Sequence, residues 1–347
     1  MNLSLIDFQA LSPLIVLFTL SLTILLVGTF FEKAERFISL ITVLLLSFGI
    51  YVTIVSPAST NPLLTPWLKF DFLSRFFGVF FLATGIGTTL ISDAFFDRFK
   101  AGKTEYFFLL VSAIFGLLLI SSANDFLTLF LGLETLSIAL YVLCCYMKEW
   151  NISQEAAIKY FLLGSIATSF LLFGIALTFG AIGSTRFGVL ASSFHTLTGS
   201  ERLLFISGIS LVTLGLLFKA AIVPFHAWVP DVYAGSSTPV TFFMAVATKA
   251  GAFAALIAIF IQFLSGFNPL WNQVVSFLCY ATLLYANFVA LRQVQLRQFF
   301  AYSGISHAGF LLIPLVAHSQ DSISAMLFYL VVYAVATLGC FAILSSI

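Results

Sequence analysis

Charge is the scarce ingredient of this sequence. Only 8% of its 347 residues are Asp, Glu, Lys or Arg, against 61% hydrophobic, and the mean hydropathy is +1.11. Soluble domains carry charge on about a quarter of their residues, so the composition excludes one. A formal charge of +1 leaves no basic surface and excludes a nucleic-acid partner. Cysteine is nearly as scarce: Cys144, Cys145, Cys279 and Cys340 lie in apolar segments without metal-ligand spacing and read as packing residues. No glycine-rich nucleotide loop follows a strand and no Cys or His ligands cluster, so neither a metal nor a bound cofactor is predicted in the chain. The first apolar run has no basic stretch before it and no small-residue cleavage site after it, and reads as a mature helix.

Apolar length is what the sequence has. Runs of eighteen or more apolar residues recur along the chain, and backbone in lipid must be helical or form a closed barrel. The runs lack the alternation of barrel strands, which predicts an all-α polytopic membrane protein. Apolar windows place about eleven spans near 10–31, 35–55, 71–92, 104–122, 124–147, 154–182, 203–232, 238–263, 269–290, 297–318 and 322–345. Lys33, Arg36, Arg98, Lys100, Lys103, Lys148, Lys159, Arg292 and Arg297 follow odd-numbered spans, nine in all, against four (Lys69, Arg75, Arg186, Arg202) after even-numbered ones. The bias places the N-terminus outside and the odd loops, with the end of the eleventh span, in the cytoplasm.

Two of the fifteen basic residues, Lys219 and Lys249, fall inside spans. So does Glu134, about ten residues or ~15 Å along its helix from Asn124, and His307 is the fourth ionisable group at depth. A charge in a span costs at least about 2.5–3.5 kcal/mol and normally faces water or a partner. Glu134 and Lys219 could form a buried ion pair that only fixes packing, yet desolvation makes such a pair a weak stabilising device. Lys249 has no acidic residue at its depth. Desolvation favours its neutral amine, which suits it to accept and release a proton near neutrality. His307 carries the weaker reading, since a lone buried histidine often only satisfies hydrogen bonds. Span seven is about thirty residues long where roughly twenty suffice, and Pro224 falls within it, five residues after Lys219. Broken helices persist where they line protein or a wet cavity, as an ion path would require.

These residues carry a family signature. The stretch Phe218-Lys219-Ala220-Ala221-Ile222-Val223-Pro224-Phe225-His226-Ala227-Trp228-Val229-Pro230-Asp231 resembles the seventh-helix motif of the antiporter-like membrane subunits of respiratory complex I. Leu133-Glu134-Thr135-Leu136-Ser137, Thr248-Lys249-Ala250-Gly251 and Ala301-Tyr302-Ser303-Gly304-Ile305-Ser306-His307-Ala308-Gly309 match it further, so the likeness runs from span four onward. The resemblance implies two inverted five-helix repeats, each with a broken helix. By the resemblance Glu134 would tune Lys219 and Lys249 would be the central relay lysine; His307 joins them only on its depth, as the weaker member. It implies a proton-translocating subunit among other membrane subunits of an NADH-quinone oxidoreductase in a bacterial inner membrane. NADH, FMN, iron–sulfur clusters and quinone would be bound by those other subunits. A cation/proton antiporter subunit, a membrane-bound hydrogenase subunit and a non-conducting structural subunit are the alternatives.

The family's second broken helix lies beyond Ile347. The resemblance thus implies an N-terminal three-helix segment (1–103), a complete first repeat (104–268) and an incomplete, truncated second one (269–347). An internal echo agrees: an offset of 169 carries Ser137 onto Ser306, Ala139 onto Ala308, Tyr160 onto Tyr329, Ala167 onto Ala336 and Thr168 onto Thr337.

Overall fold

The computed structural model describes residues 4–99, 102–263, 268–317 and 319–346. Helices α1 (Leu5–Phe30), α2 (Ile38–Val55), α3 (Phe72–Phe99), α4 (Thr104–Ser122), α5 (Phe126–Cys144) and α6 (Asn151–Ile182) cross back and forth. A short α7 (Phe187–Ser193) precedes α8 (Gly199–Ala220), which stops in mid-span and resumes as α9 (Trp228–Gly235). Next, α10 (Thr238–Phe243), a π turn (Met244–Thr248) and α11 (Lys249–Phe263) form one continuous rod. Helices α12 (Asn268–Ala290), α13 (Leu296–Ala317) and α14 (Gln320–Ser346) complete it. Among the described residues eleven helices are long and apolar enough to cross a membrane, the number read from the sequence. No strand longer than an isolated bridge occurs among them.

Polar ends account for the differences in span limits. The first helix starts at Leu5 because Ser4 and Asp7 cap each other: Ser4 N–H donates to Asp7 Oδ2 at 2.7 Å and Asp7 N–H to Ser4 Oγ at 3.4 Å. Ser59 and Asn61 also donate to Asp7, at 2.5 and 2.6 Å, so an acid that looks like loop sequence belongs to the helix. The third runs on to Phe99 because Asp93 and Asp97 both pair with Lys103, each at 2.7 Å. Lys159 is no loop residue; it lies on α6 and pairs with Glu155 (2.8 Å) and with Asp231 on α9 (2.6 Å). Arg98 and Arg297 likewise lie on helices, and Arg297 donates to Ala234 O and Ser236 O, tying down the turn after α9. Lys100 lies outside the described residues, as does the side chain of Lys33. Of the cysteines, Cys144 and Cys279 are buried, but Cys340 is exposed, so packing within this chain does not account for it.

The centre of the bundle is the span Thr238–Phe260, 94% buried against 28% for Asp321–Ser346. On one face, short loops lace together. Lys69 N–H donates to Ser122 O (2.7 Å), Asn124 N–H to Trp67 O (2.9 Å) and Phe126 N–H to Thr185 O (3.1 Å). Without a hydrophobic force between helices in lipid, contact depends on close backbone approach. Helices α6 and α8 meet at facing glycines: a Cβ on Gly174 would lie 2.6 Å from Gly208 O, and one on Gly208 would lie 2.8 Å from Gly174 O. Backbone cannot yield as a side chain can. Gly208→Leu should therefore destabilise the bundle by about 3 kcal/mol, read as loss of folded protein in a detergent thermal-stability assay.

Asp71, just before α3, accepts Ser74 N–H at 2.9 Å and pairs with Lys69 at 2.8 Å. Partial burial opposes its ionisation, but the Lys69 ammonium and the Ser74 amide outweigh that and hold the carboxyl below its ordinary range. A depressed carboxyl stabilises the fold fully above about pH 4 and loses that contribution as pH falls through its folded value. Asp71→Asn should be less stable than the parent at neutral pH, and the gap should close on acidification. A gap independent of pH would refute the assignment.

Candidate functional site

The site grows from the end of α8. Ala221 takes left-handed backbone (φ 62°, ψ 40°), and the chain folds back so that Ile222 N–H reaches Leu217 O at 3.0 Å and Ala221 N–H reaches Phe218 O at 3.1 Å. This paired closure satisfies carbonyls that a helix end leaves bare, with alanine where glycine is usual. Pro224 lies inside the break, after a cis bond from Val223. Val223 N–H is met by Thr282 Oγ1 of α12 at 3.2 Å. Trp228, opening α9, returns its indole N–H to Phe218 O at 3.0 Å. The helix therefore ends three residues earlier than Pro224 alone would require.

Lys219, in the last turn of α8, is 4% exposed. Its Nζ donates to Ser137 Oγ on α5 at 2.8 Å and lies 5.6 and 5.3 Å from the ring centroids of Tyr141 and Tyr160. Hydroxyl and aromatic faces are neutral partners that still stabilise a cation. Glu134 lies one turn before Ser137, and its Oε1 is buried without a hydrogen-bond partner. Among the described residues Glu134 and Lys219 form no ion pair. The buried pair weighed from sequence is thus open, with the lysine resting on Ser137.

Lys249 follows the π turn and is 2% exposed, and its Nζ has no hydrogen-bond partner among the described residues. The Tyr333 ring centroid lies 5.9 Å away. Bare Gly304 lies against the same amine, and a Cβ added there would collide with Lys249 Nζ. The widened turn frees carbonyls, and side chains meet them: Thr248 Oγ1 donates to Met244 O, and Tyr333 OH to Ala245 O at 3.3 Å. His307 Nδ1 lies 2.6 Å from Tyr329 OH, with its ring 4.6 Å from that of Tyr333. A cavity of about 190 Å³ opens beside them, lined by Ser303, Gly304, His307, Tyr329, Tyr333 and Thr337 among others.

Two groupings result: Glu134, Ser137, Tyr141 and Tyr160 with Lys219, and Gly304, His307, Tyr329 and Tyr333 with Lys249. The sequence reading omitted Ser137 and the tyrosines as site residues. Glu134, Ser137 and Tyr141 do follow helical spacing on one stripe, a signal the sequence offers. Tyr329 and Tyr333 of α14 share a stripe as well, but no local pattern ties them to Lys249 on α11. Another polar group at the break, His226, is 8% exposed with Nδ1 unpartnered, its ring 4.8 Å from that of Tyr285. Among the described residues no three His, Cys, Asp or Glu side chains gather as a metal site would require.

Residues 123–347 match the family described as NADH:quinone oxidoreductase/Mrp antiporter, transmembrane. NADH-quinone oxidoreductase subunit N of Protochlamydia amoebophila is 57% identical over 99% of this chain and 72% of its own length. The protein of the same name from Trichlorobacter lovleyi is 33% identical over 98% of this chain and 70% of its own length. A chain of respiratory complex I from Thermus thermophilus superposes with a TM-score of 0.78 at 32% identity, covering 96% of this chain and 70% of that one. A chain of the Mrp complex from a Dietzia species shares the fold, with a TM-score of 0.78 at 19% identity over 98% of this chain and 64% of that one. The chain belongs to the NADH:quinone oxidoreductase/Mrp antiporter family.

Proposed function

We propose that this chain is the proton-translocating N-type membrane subunit of a bacterial NADH:quinone oxidoreductase, with Glu134, Lys219 and Lys249 as its relay. The observation that carries the reading is a pair of buried lysines without carboxylate contact, one of them at the end of a helix interrupted in mid-span. A buried lysine held by a carboxylate stays charged, whereas one held by hydroxyls and ring faces changes protonation when its surroundings change modestly. Moving one charge through 100 mV costs about 2.3 kcal/mol, and one unit of proton affinity is worth about 1.4 kcal/mol. A swing of two units at Lys219 is enough. Approach to Glu134 would hold the proton, and separation would release it to Lys249. His307, beside the cavity, is the lesser member.

NADH oxidation, with FMN, the iron–sulfur clusters and the quinone, belongs to partner subunits in this reading, and other membrane subunits flank this one. The charge bias of the loops supports a periplasmic N-terminus and a cytoplasmic end to α14 in the bacterial inner membrane. We also infer a repeat at 104–268 and a partial one at 269–347. The 169-residue offset carries Asn151, first residue of α6, onto Gln320, first residue of α14.

In the assembled complex in proteoliposomes, Lys219→Ala or Glu134→Ala should lower proton pumping by about tenfold or more, a loss of at least ~1.4 kcal/mol. Unchanged pumping in both would overturn the relay. Gly304→Ala, which crowds Lys249 Nζ, should lower pumping by about threefold, under ~1 kcal/mol, and pumping at the parent rate would show that the Gly304 surface is not used.

A further inference from the structure

In this structure Lys219 rests on a neutral group, while Glu134, with one carboxylate oxygen buried and unbonded, lies one turn away on α5. Its Nζ donates to Ser137 Oγ at 2.8 Å, and the two residues are 4% and 0% exposed. Ser137 directs its own hydrogen to Leu133 O at 2.5 Å, so its oxygen faces Lys219 only as an acceptor. Glu134 precedes Ser137 by three residues on α5, which puts its Cα on the same helix stripe, about 4.5 Å nearer the start of the helix. Its Oε1 is buried and unbonded. Lys219 already feels the Glu134 charge, and its flexible four-carbon stem gives the ammonium the freedom to swing toward it. The two acceptors differ in kind. One is a dipole and the other a full charge in surroundings of low dielectric, where an opposite charge binds a proton-bearing ammonium much more firmly.

We propose that Ser137 is a positioning residue, a neutral rest that holds the Lys219 ammonium off Glu134 and so makes its proton available for release. The inference rests on the relay reading above. Ser137 neither gives nor takes a proton, because its hydrogen is engaged by Leu133 O. When the proton leaves, Lys219 goes from ammonium to amine and Lys249 from amine to ammonium, with the serine unchanged. The titratable groups facing Lys219 are Glu134, Tyr141 and Cys144 on α5 and Tyr160 on α6, while α11, which also packs on α8, carries Lys249. Of these, Glu134 is the one carboxyl group, so it decides where a displaced ammonium goes.

The test compares the parent complex with Ser137→Ala, Ser137→Thr and Lys219→Ala in proteoliposomes. Protons pumped per NADH oxidised are measured across pH, with subunit content checked for assembly. Removing the hydroxyl leaves Glu134 as the strongest partner within reach of Lys219, beside the two ring faces, so Ser137→Ala should pump several-fold less and its alkaline limb should move up by about one pH unit. Ser137→Thr, which keeps the acceptor, should restore both. If Lys219→Ala abolishes pumping while Ser137→Ala keeps the parent rate and profile, this inference fails and the relay stands. Equal impairment of the alanine and threonine variants with an unshifted profile would reduce Ser137 to packing and also overturn it. Unchanged pumping by Lys219→Ala would overturn the relay and this inference with it.

Discussion

In hydrocarbon a backbone N–H or C=O has no water to fall back on, and one left bare costs several kcal/mol. The break between Ala220 and Trp228 is where this molecule meets that constraint most sharply. Its solution recruits three sources. The chain closes on itself through Ile222 and Ala221, α12 lends the Thr282 hydroxyl to Val223, and the Trp228 indole reaches back to Phe218 O. Proline contributes by omission, since Pro224 has no N–H to satisfy. Lys219 is therefore set in the last turn of a helix whose end is fixed from both sides. Its Nζ meets α5 at a definite height, opposite Ser137 and one turn from Glu134.

The same energetics sort the charges by depth. Three lysines near the two faces have carboxylates: Lys69 with Asp71, Lys103 with Asp93 and Asp97, Lys159 with Glu155 and Asp231. The two deep lysines have none in contact. If depth alone mattered the order would be reversed, because a buried cation needs a counter-charge more than an exposed one. What Lys219 has is a hydroxyl and two ring faces, each stabilising a desolvated cation by about 2 kcal/mol. That sum, about 6 kcal/mol, exceeds an insertion cost of about 2.5–3.5 kcal/mol, so Lys219 can carry its charge at depth without a counter-ion in contact. A buried ion pair, by contrast, loses several kcal/mol when one partner is removed. Neutral partners suit a group that has to change charge.

Hydropathy and charge belong to single residues, and whatever they determine was legible in the sequence. The eleven spans and the deep positions of Glu134, Lys219, Lys249 and His307 were of this kind. Relative placement was not. The rest of Lys219 on Ser137 joins residues 82 apart, and the ion pair of Lys159 with Asp231 joins residues 72 apart, so no local pattern marks either. The onset of the break at Ala221 was hidden because alanine is an unusual residue for left-handed backbone, and the proline three residues later drew the reading instead. The π turn before Lys249 reads as ordinary helix, since Met244–Thr248 differs from helical sequence only in how Thr248 and Tyr333 satisfy it.

On the proposed repeat, the 169-residue offset also accounts for the asymmetry between the two lysines. It carries Tyr160, which faces Lys219, onto Tyr329, which meets His307. It carries Ser137 onto Ser306, which accepts from Asn287 at 2.9 Å instead of from a lysine. It carries Glu134 onto Ser303, a wall of the cavity near Lys249. The frame recurs while the carboxylate does not. Lys219 thus has a charged alternative one turn away that can hold its proton, and Lys249 has no equivalent. In the proposed relay, a proton given up at Lys219 would pass to a second amine that no carboxylate in contact retains, so that amine would be free to hand it on.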